Sequence, residues 1–237
     1  MTAAAADGRF VLATRNAHKI VELRRILAAA GAGGVALEVV GLDAFPLVPD
    51  VVESGVTFAE NALLKAHAAA GGSGLPAVAD DSGLCVGVLG GSPGVFSARW
   101  SGRHGNDRAN LELLLAQLGD VPDEHRGAWF MCAAALVIPG GAEHVRHGRL
   151  DGVLAHAPRG AGGFGYDPIF VPEGGDRTLA EYAAADKDAI SHRGRAFRAL
   201  APVIGDELRP SGVSPAAARP GPPTSQGDAP LRRRMLG

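Results

Sequence analysis

The sequence predicts an α/β protein built around a mixed β-sheet, and three observations carry that reading. Short apolar runs bounded by turn residues alternate with stretches of helical periodicity. The first of these runs leads directly into an amphipathic helix. Two longer runs, 129–138 and 143–150, are joined by Pro139-Gly140-Gly141, so the second strand pairs back on the first.

Taken in order, Phe10-Val11-Leu12-Ala13 reads as the first strand. A helix follows over 17–30, with Ile20, Leu23, Ile26, Leu27 and Ala30 on one stripe. Residues 35–40 read as the second strand. Thr57-Phe58-Ala59-Glu60 fits a capping box, S/T-x-x-E, and opens a helix to residue 70 whose apolar face holds Phe58, Ala62, Leu63, Ala66 and Ala69. Pro76-Ala77-Val78 is a short buried strand, and 84–88 is its antiparallel continuation. Leu111, Leu114, Leu115 and Leu118 repeat at i, i+3, i+4, i+7 and mark a helix ended by Gly119. A short strand at 169–171 precedes a last helix over 189–207, with Phe197, Leu200, Ala201 and Ile204 on its buried side. Residues 1–8 are expected to be flexible and 9–207 to form the folded domain. From 208 to 237 the chain is rich in Pro, Gly, Ala and Ser; it lacks the apolar surface to offset ordering entropy, so a disordered tail is expected.

Composition excludes several function classes. The chain has 237 residues, 46% of them hydrophobic, which is ample for a core. Its formal net charge of -2 gives no bulk electrostatic reason to bind nucleic acid or a membrane. Any polyanionic ligand must then be met by a local cluster of cations. The longest apolar run, 128–138, falls well short of the roughly 20 residues that a membrane-spanning helix requires. Residues 1–9 lack the basic and apolar regions of a signal peptide. The two cysteines, Cys85 and Cys132, both lie in apolar strand-like runs, which suits a reducing cytoplasm and makes a cytoplasmic protein the expectation.

Four segments carry chemistry. Ala79-Asp80-Asp81-Ser82-Gly83-Leu84 places two adjacent carboxylates where a strand is expected to leave the core. A solvated turn would look the same, but desolvated acids this close require a cation. Thr14-Arg15-Asn16-Ala17-His18-Lys19 joins the first strand to a helix with Asn16 as N-cap. Free N–H groups and two cations there make an anion site, although an ordinary capped helix also fits. Gly160-Ala161-Gly162-Gly163-Phe164-Gly165 matches G-x-G-x-x-G, but no strand runs into it and Tyr166-Asp167-Pro168 follows where a helix should start. It reads instead as a glycine loop whose Phe164 either stacks on a flat heterocycle or packs inward. Asp186-Lys187-Asp188-Ala189-Ile190-Ser191-His192-Arg193-Gly194 brings Lys187 and Arg193, suited to phosphate or carbonyl oxygens, to the final helix; a solvated charged entry is the alternative. The G-x-x-x-x-G-K-[ST] loop is absent, and His144 and His147 lack zinc-like company.

Together these segments resemble the inosine triphosphatase (Ham1-like) family of pyrophosphohydrolases, which act on non-standard purine nucleoside triphosphates. The matching runs are Thr14 to Lys19, Thr57-Phe58-Ala59-Glu60-Asn61-Ala62-Leu63-Leu64-Lys65, the acid pair, Pro93-Gly94-Val95-Phe96-Ser97-Ala98-Arg99, Gly163-Phe164-Gly165-Tyr166-Asp167-Pro168-Ile169-Phe170 and Ser191-His192-Arg193-Gly194. They occur in the family's order. The resemblance implies an elongated two-lobed α/β fold, a central mixed sheet flanked by helices with the nucleotide in a cleft between lobes, a homodimer and a requirement for Mg2+. It also implies that ITP, dITP and XTP yield the monophosphate and pyrophosphate, clearing them from the nucleotide pool. Thr14, Arg15, Asn16, Ala17, His18 and Lys19 would cradle the triphosphate. Asp81 would bind the metal and accept a proton, and Ser82 would contact substrate. Phe164, Gly165, Tyr166, Asp167, Lys187, His192 and Arg193 would hold base and phosphates, a donor at Arg193 or His192 favouring a 6-oxo purine over adenine.

The chain departs from the family where Phe96 and Trp100 replace tyrosines. Glu53 is the nearest candidate for a further metal carboxylate. Two alternatives stand beside this reading: a pyrophosphatase for other modified nucleotides of the Maf-like kind, and a nucleotide-binding sensor without turnover.

Overall fold

The computed structural model describes residues 8–31 and 37–209. Most of the expected flexible segment 1–8, the first residues of the strand expected at 35–40, and the tail from 210 onward lie outside the described residues.

Six strands form one mixed sheet: β1 (Arg9–Leu12), β2 (Glu38–Gly41), β3 (Ala77–Val86), β4 (Gly127–Val137), β5 (Glu143–Leu154) and β6 (Phe170–Pro172). Their order is β2-β1-β3-β4-β5-β6, with β1 parallel to both neighbours and every later pairing antiparallel. The helices are α1 (Ala17–Ala30), α2 (Phe58–Ser73), α3 (Asp107–Gln117), α4 (Ala184–Ile190) and α5 (His192–Glu207).

The two-residue period of the strands sorts the core into layers. Phe10, Leu12, Val78, Cys132 and Ala134 meet Leu23, Ile26 and Leu27 of α1 and Phe197, Leu200, Ala201 and Ile204 of α5. On the opposite face Val11, Ala13, Ala77, Ala79, Ala133 and Ala135 meet Ala62, Ala66 and Ala69 of α2. Alanine on both sides lets that helix lie close. A third cluster covers the far half of the sheet, where Leu84, Val86, Phe130, Leu150 and Phe170 meet Leu111, Leu114 and Leu118. The sheet therefore links two lobes, as the resemblance implied.

Two elements differ from expectation. The two strands expected at 76–78 and 84–88 are replaced by one, β3 (Ala77–Val86), paired with β4 along its whole length from Ala77↔Val137 to Val86↔Ala128, with 87–89 leaving it as a short 3-10 turn. The acid pair therefore sits mid-strand rather than at a strand end. Chemistry favoured a turn at Asp-Asp, but tertiary pairing overrides local propensity there. The helix expected over 189–207 is broken at Ser191. This residue is extended (φ -64, ψ 152), and its hydroxyl accepts the Gly194 N–H, so it caps α5 instead of continuing α4.

One glycine sets how close α5 can come. A Cβ at Gly148 of β5 would run into the His192 carbonyl and the Ala196 N–H. Bare backbone there lets the first turn of α5 rest on the sheet, which positions His192 and Arg193.

Arg126 is buried with no carboxylate partner among the described residues. Its guanidinium donates to the carbonyls of Leu154 (2.7 Å), Leu118 (2.7 Å) and Ala155 (3.0 Å). It closes the C-terminus of α3 and ties it to the end of β5, where the helix dipole favours a cation. Arg126→Met keeps the length but strands these carbonyls. The expected loss is about 2–4 kcal/mol in urea unfolding; a change inside the error of the measurement would mean that water reaches them.

Candidate active site

The parallel strand β1 stops at Leu12, opposite Val78, while β3 continues to Val86. Further along, the turn 94–99 takes over the edge of β3, with the Ser97 hydroxyl accepting the Leu84 N–H (2.9 Å). Between those two covers Asp80, Asp81 and Ser82 open onto a cleft of about 950 Å³, at the carboxyl end of a parallel strand. Thr14, Arg15, Asn16 and Lys19 form one wall, and Phe164, Gly165, Tyr166, Asp167, Lys187, His192 and Arg193 another. Ala17 and His18 are the first two residues of α1.

Neighbours in a strand point to opposite faces, so the two acids do not share an environment. Asp80 turns toward α1 and α5. Its Oδ2 accepts from Lys19 (2.9 Å), Arg193 (3.3 Å) and the Ser82 hydroxyl (3.1 Å). Burial alone would raise its pKa; Lys19 and Arg193 override burial and hold the carboxyl well below the usual range. Asp81 turns toward α2, where Lys65 Nζ lies 3.0 Å from Oδ1 and Asn61 Nδ2 3.3 Å from Oδ2. Burial pushes the Asp81 carboxyl above its ordinary value; Lys65 opposes this and Glu53 adds to it. Glu53 reaches the same ammonium, 2.8 Å from Oε1, and is further held by Arg99.

On the α5 side Arg193 is clamped. Nη1 donates to Glu22 (2.8 Å) and Nη2 to Ser82 Oγ (2.8 Å), besides the bond to Asp80. The buried His192 ring stacks on Phe130, with centroids 4.6 Å apart, and its Nδ1 has no protein partner among the described residues. Burial, with Arg193 and Lys187 close by, holds its pKa well below 6.5, so the ring is neutral. Lys187 donates to Asp167 Oδ2 (2.6 Å), which also accepts the Phe164 N–H (2.8 Å). The Phe164 ring lies over both cations, 5.0 Å from Lys187 Nζ and 5.4 Å from Arg193 Cζ. Tyr166 is buried and donates to the Ser97 carbonyl (2.9 Å). Across the mouth Arg15 donates to Asp50 (2.9 Å) and the Val48 carbonyl (2.9 Å).

The cleft is thus balanced in charge. Arg15, Lys19, Lys65, Arg99, Lys187 and Arg193 line it together with Asp50, Glu53, Asp80, Asp81, Asp107 and Asp167. Asp81 and Glu53, converging on the Lys65 ammonium with Arg99 also on Glu53, are hard oxygen donors of the kind that suits a divalent ion such as Mg2+. Asp80 does not fit that role, since its Oδ2 is already held by Lys19, Arg193 and Ser82 and its Oδ1 is buried.

Sequence reasoning assigned no role to several residues found here. Lys65 and Asn61 lie four apart on α2, facing Asp81. Lys65 interrupts the Ala62–Ala66–Ala69 stripe, and a charge on an apolar face is the signal that marks it. Glu22 interrupts α1 in the same way. Asp50, Arg99 and Asp107 arrive from loops and a helix start far away in sequence, and carry no periodic signal. At the two positions where tyrosine was expected, Trp100 donates to Gln117 (2.9 Å) and Phe96 is half-exposed beside Arg99, and neither lines the cleft.

A family model described as the Ham1 family matches residues 10–203. A dITP/XTP pyrophosphatase of Streptomyces coelicolor is 66% identical over 200 residues, covering 84% of this chain and 98% of that protein. One from Mycobacterium tuberculosis is 57% identical over 196 residues, covering 83% and 95%. Among solved structures, a Ham1 protein from Coxiella burnetii aligns with a TM-score of 0.74 at 40% identity, covering 84% of this chain and 98% of that one. A nucleoside-triphosphatase / dITP/XTP pyrophosphatase from Mycobacterium abscessus aligns at 0.67 with 53% identity, covering 83% and 99%. The family match spans residues 10–203, from β1 into α5, and this chain belongs to the Ham1 family.

Proposed function

We propose that this protein hydrolyses dITP, ITP and XTP to the nucleoside monophosphate and pyrophosphate in a Mg2+-dependent reaction, and so clears non-standard purines from the nucleotide pool. Its class is that of its relatives, the nucleoside triphosphate pyrophosphohydrolases. The observation that carries the reading is the division of labour across β3: an ionised, cation-clamped Asp80 on one face and a buried Asp81 of raised pKa on the other, both at one cleft.

In this reading Thr14 to Lys19 receive the triphosphate at the start of α1, with Arg15 and Lys19 exchanging their carboxylates for phosphate oxygens. Water attacks the α-phosphorus, the bond from that phosphorus to the bridging oxygen breaks, and pyrophosphate leaves. Asp81 takes the proton of the attacking water, a role suited to a carboxylate of raised pKa. Lys65 keeps Asp81 ionised against burial and the nearby Glu53. Asp81 and Glu53 would hold the metal, which when bound neutralises phosphate charge and polarises the phosphorus. Phe164 offers a face for the base, while Lys187 and the remaining N–H groups of Arg193 offer donors to a 6-oxo purine. Neutral His192 supports the same pocket without adding charge.

We assign the activity to residues 9–207, acting as a homodimer in the cytoplasm on a small-molecule substrate, with neither nucleic acid nor membrane as partner. A chain ending at Arg209 should match the full chain in turnover and melting temperature. A large loss of either would show that the remaining residues contribute.

The decisive assay measures pyrophosphate and single phosphate released from ITP, XTP, ATP, GTP and dTTP, with and without Mg2+. Pyrophosphate from the first two, and little from the others, is expected; single phosphate, or turnover confined to dTTP, would overturn the reading. Asp81→Asn should lower kcat by about 10²–10⁴-fold with the unfolding midpoint retained, and near-normal rates would remove Asp81 from the mechanism.

His192 gives a pH test. Its folded pKa lies below its unfolded value of 6.5, so below pH 6.5 the unfolded chain binds a proton that the folded chain refuses. Its contribution to stability is complete above that pH and declines as pH falls. Urea unfolding of the parent should therefore lose up to about 1.4 kcal/mol per pH unit more than His192→Gln below pH 6.5. Parallel curves for the two proteins would show that His192 protonates in the folded state.

A further inference from the structure

Among the described residues, every cleft carboxylate except one has a cation within ion-pair distance. Asp50 has Arg15, Glu53 and Asp81 have Lys65, Asp80 has Lys19 and Arg193, and Asp167 has Lys187. The exception is Asp107, the first residue of α3. Its Oδ2 accepts the backbone N–H of Gly165 at 3.0 Å, across 58 residues of sequence. An acid in the first turn helps any helix dipole, but the capping bond is already made here by Asn106, whose side chain accepts the Ala109 N–H. Asp107 is exposed and its charge is solvated, so it is the bond reaching across to Gly165 that calls for a reason.

That reason lies in what the loop carries. Gly163 and Gly165 adopt left-handed backbone (φ +69 and +63), so Phe164 is flanked in sequence by two residues that carry no side chain. Phe164 N–H is held by Asp167 and Gly165 N–H by Asp107, so two carboxylates hold consecutive amides of the loop. Tyr166, through Ser97, anchors the same loop to the segment that leads into α3.

We propose that Asp107 is a positioning residue for base recognition: by fixing Gly165 it holds the Phe164 ring over Lys187 and Arg193, where a purine would stack. This rests on the reading above that Phe164 meets the base. Asp107 touches no reacting atom, and its effect passes through Phe164.

Two measurements on the full chain test it. In the nucleotide-free protein, hydrogen exchange at Phe164 and Gly165 should accelerate about five- to tenfold in Asp107→Ala, and much less in Asp107→Asn, whose side-chain oxygen can still accept. In steady-state kinetics with ITP, Asp107→Ala should raise KM about five- to tenfold while lowering kcat far less. Inhibition by inorganic tripolyphosphate, which has no base, should be unchanged. In a Phe164→Ala background the same substitution should have no further effect on KM. Unchanged exchange, equal weakening of tripolyphosphate, or full additivity with Phe164→Ala would each overturn the proposal. Absence of ITP turnover in the parent would instead sink the substrate reading, while the exchange data would still decide whether Asp107 grips the loop.

Discussion

Consecutive residues of a β-strand cannot face the same way, and the site depends on that constraint. Asp80 and Asp81 are joined by one peptide bond in the middle of β3, yet they answer to different helices. Asp80 belongs to the α1–α5 layer and Asp81 to the α2 layer, each opposite an alanine of β4 (Ala134 and Ala133) that leaves room for it. Two cations hold the first acid ionised; the second shares its cation with Glu53 and is left less acidic. One strand thereby delivers a fixed charge and a titratable one to the same cleft, and no loop could place them with equal rigidity.

The surrounding charges cost stability. Glu22 Oε1, Asp80 Oδ1, Asp188 Oδ1 and His192 Nδ1 are buried without a protein partner among the described residues. Buried ion pairs such as Arg193 with Glu22 gain little over apolar packing once desolvation is counted, and they are strongly destabilised when one member is lost. The Phe, Leu and Ile side chains beneath α1 and α5 offset this, at about 1.5–3 kcal/mol for each one fully buried. Polar groups kept under such tension mark where function constrains the fold.

Most of the fold was legible because its signals are periodic. The α1 and α5 stripes, the capping box at Thr57 and the hairpin around Gly140 all follow local rules, and each lies where those rules put it. The two elements misjudged share one cause. At Asp80-Asp81 and at Ser191, local chemistry and tertiary context disagree: pairing with β4 turned an expected turn into strand, and a serine cap turned an expected helix into two. The site divides along the same line. Segments that run continuously, Thr14 to Lys19 and Ser191 to Arg193, were recognisable, whereas the partners of their charges were not. Nothing local ties Asp50 to Arg15, Glu22 to Arg193 or Asp107 to Gly165, because those contacts exist only once the lobes are joined.

The balance of charge lining the cleft bears on how the protein behaves in a crowded nucleotide pool. With a carboxylate for every cation, the cleft exerts little long-range pull on polyanions, and encounter is left to ordinary diffusion. Abundant triphosphates are not gathered at its mouth merely for being triphosphates. On the proposed reading, a nucleotide displaces carboxylates at short range, where the fit of its base is also felt, so a rare one competes on shape and hydrogen bonding rather than on numbers.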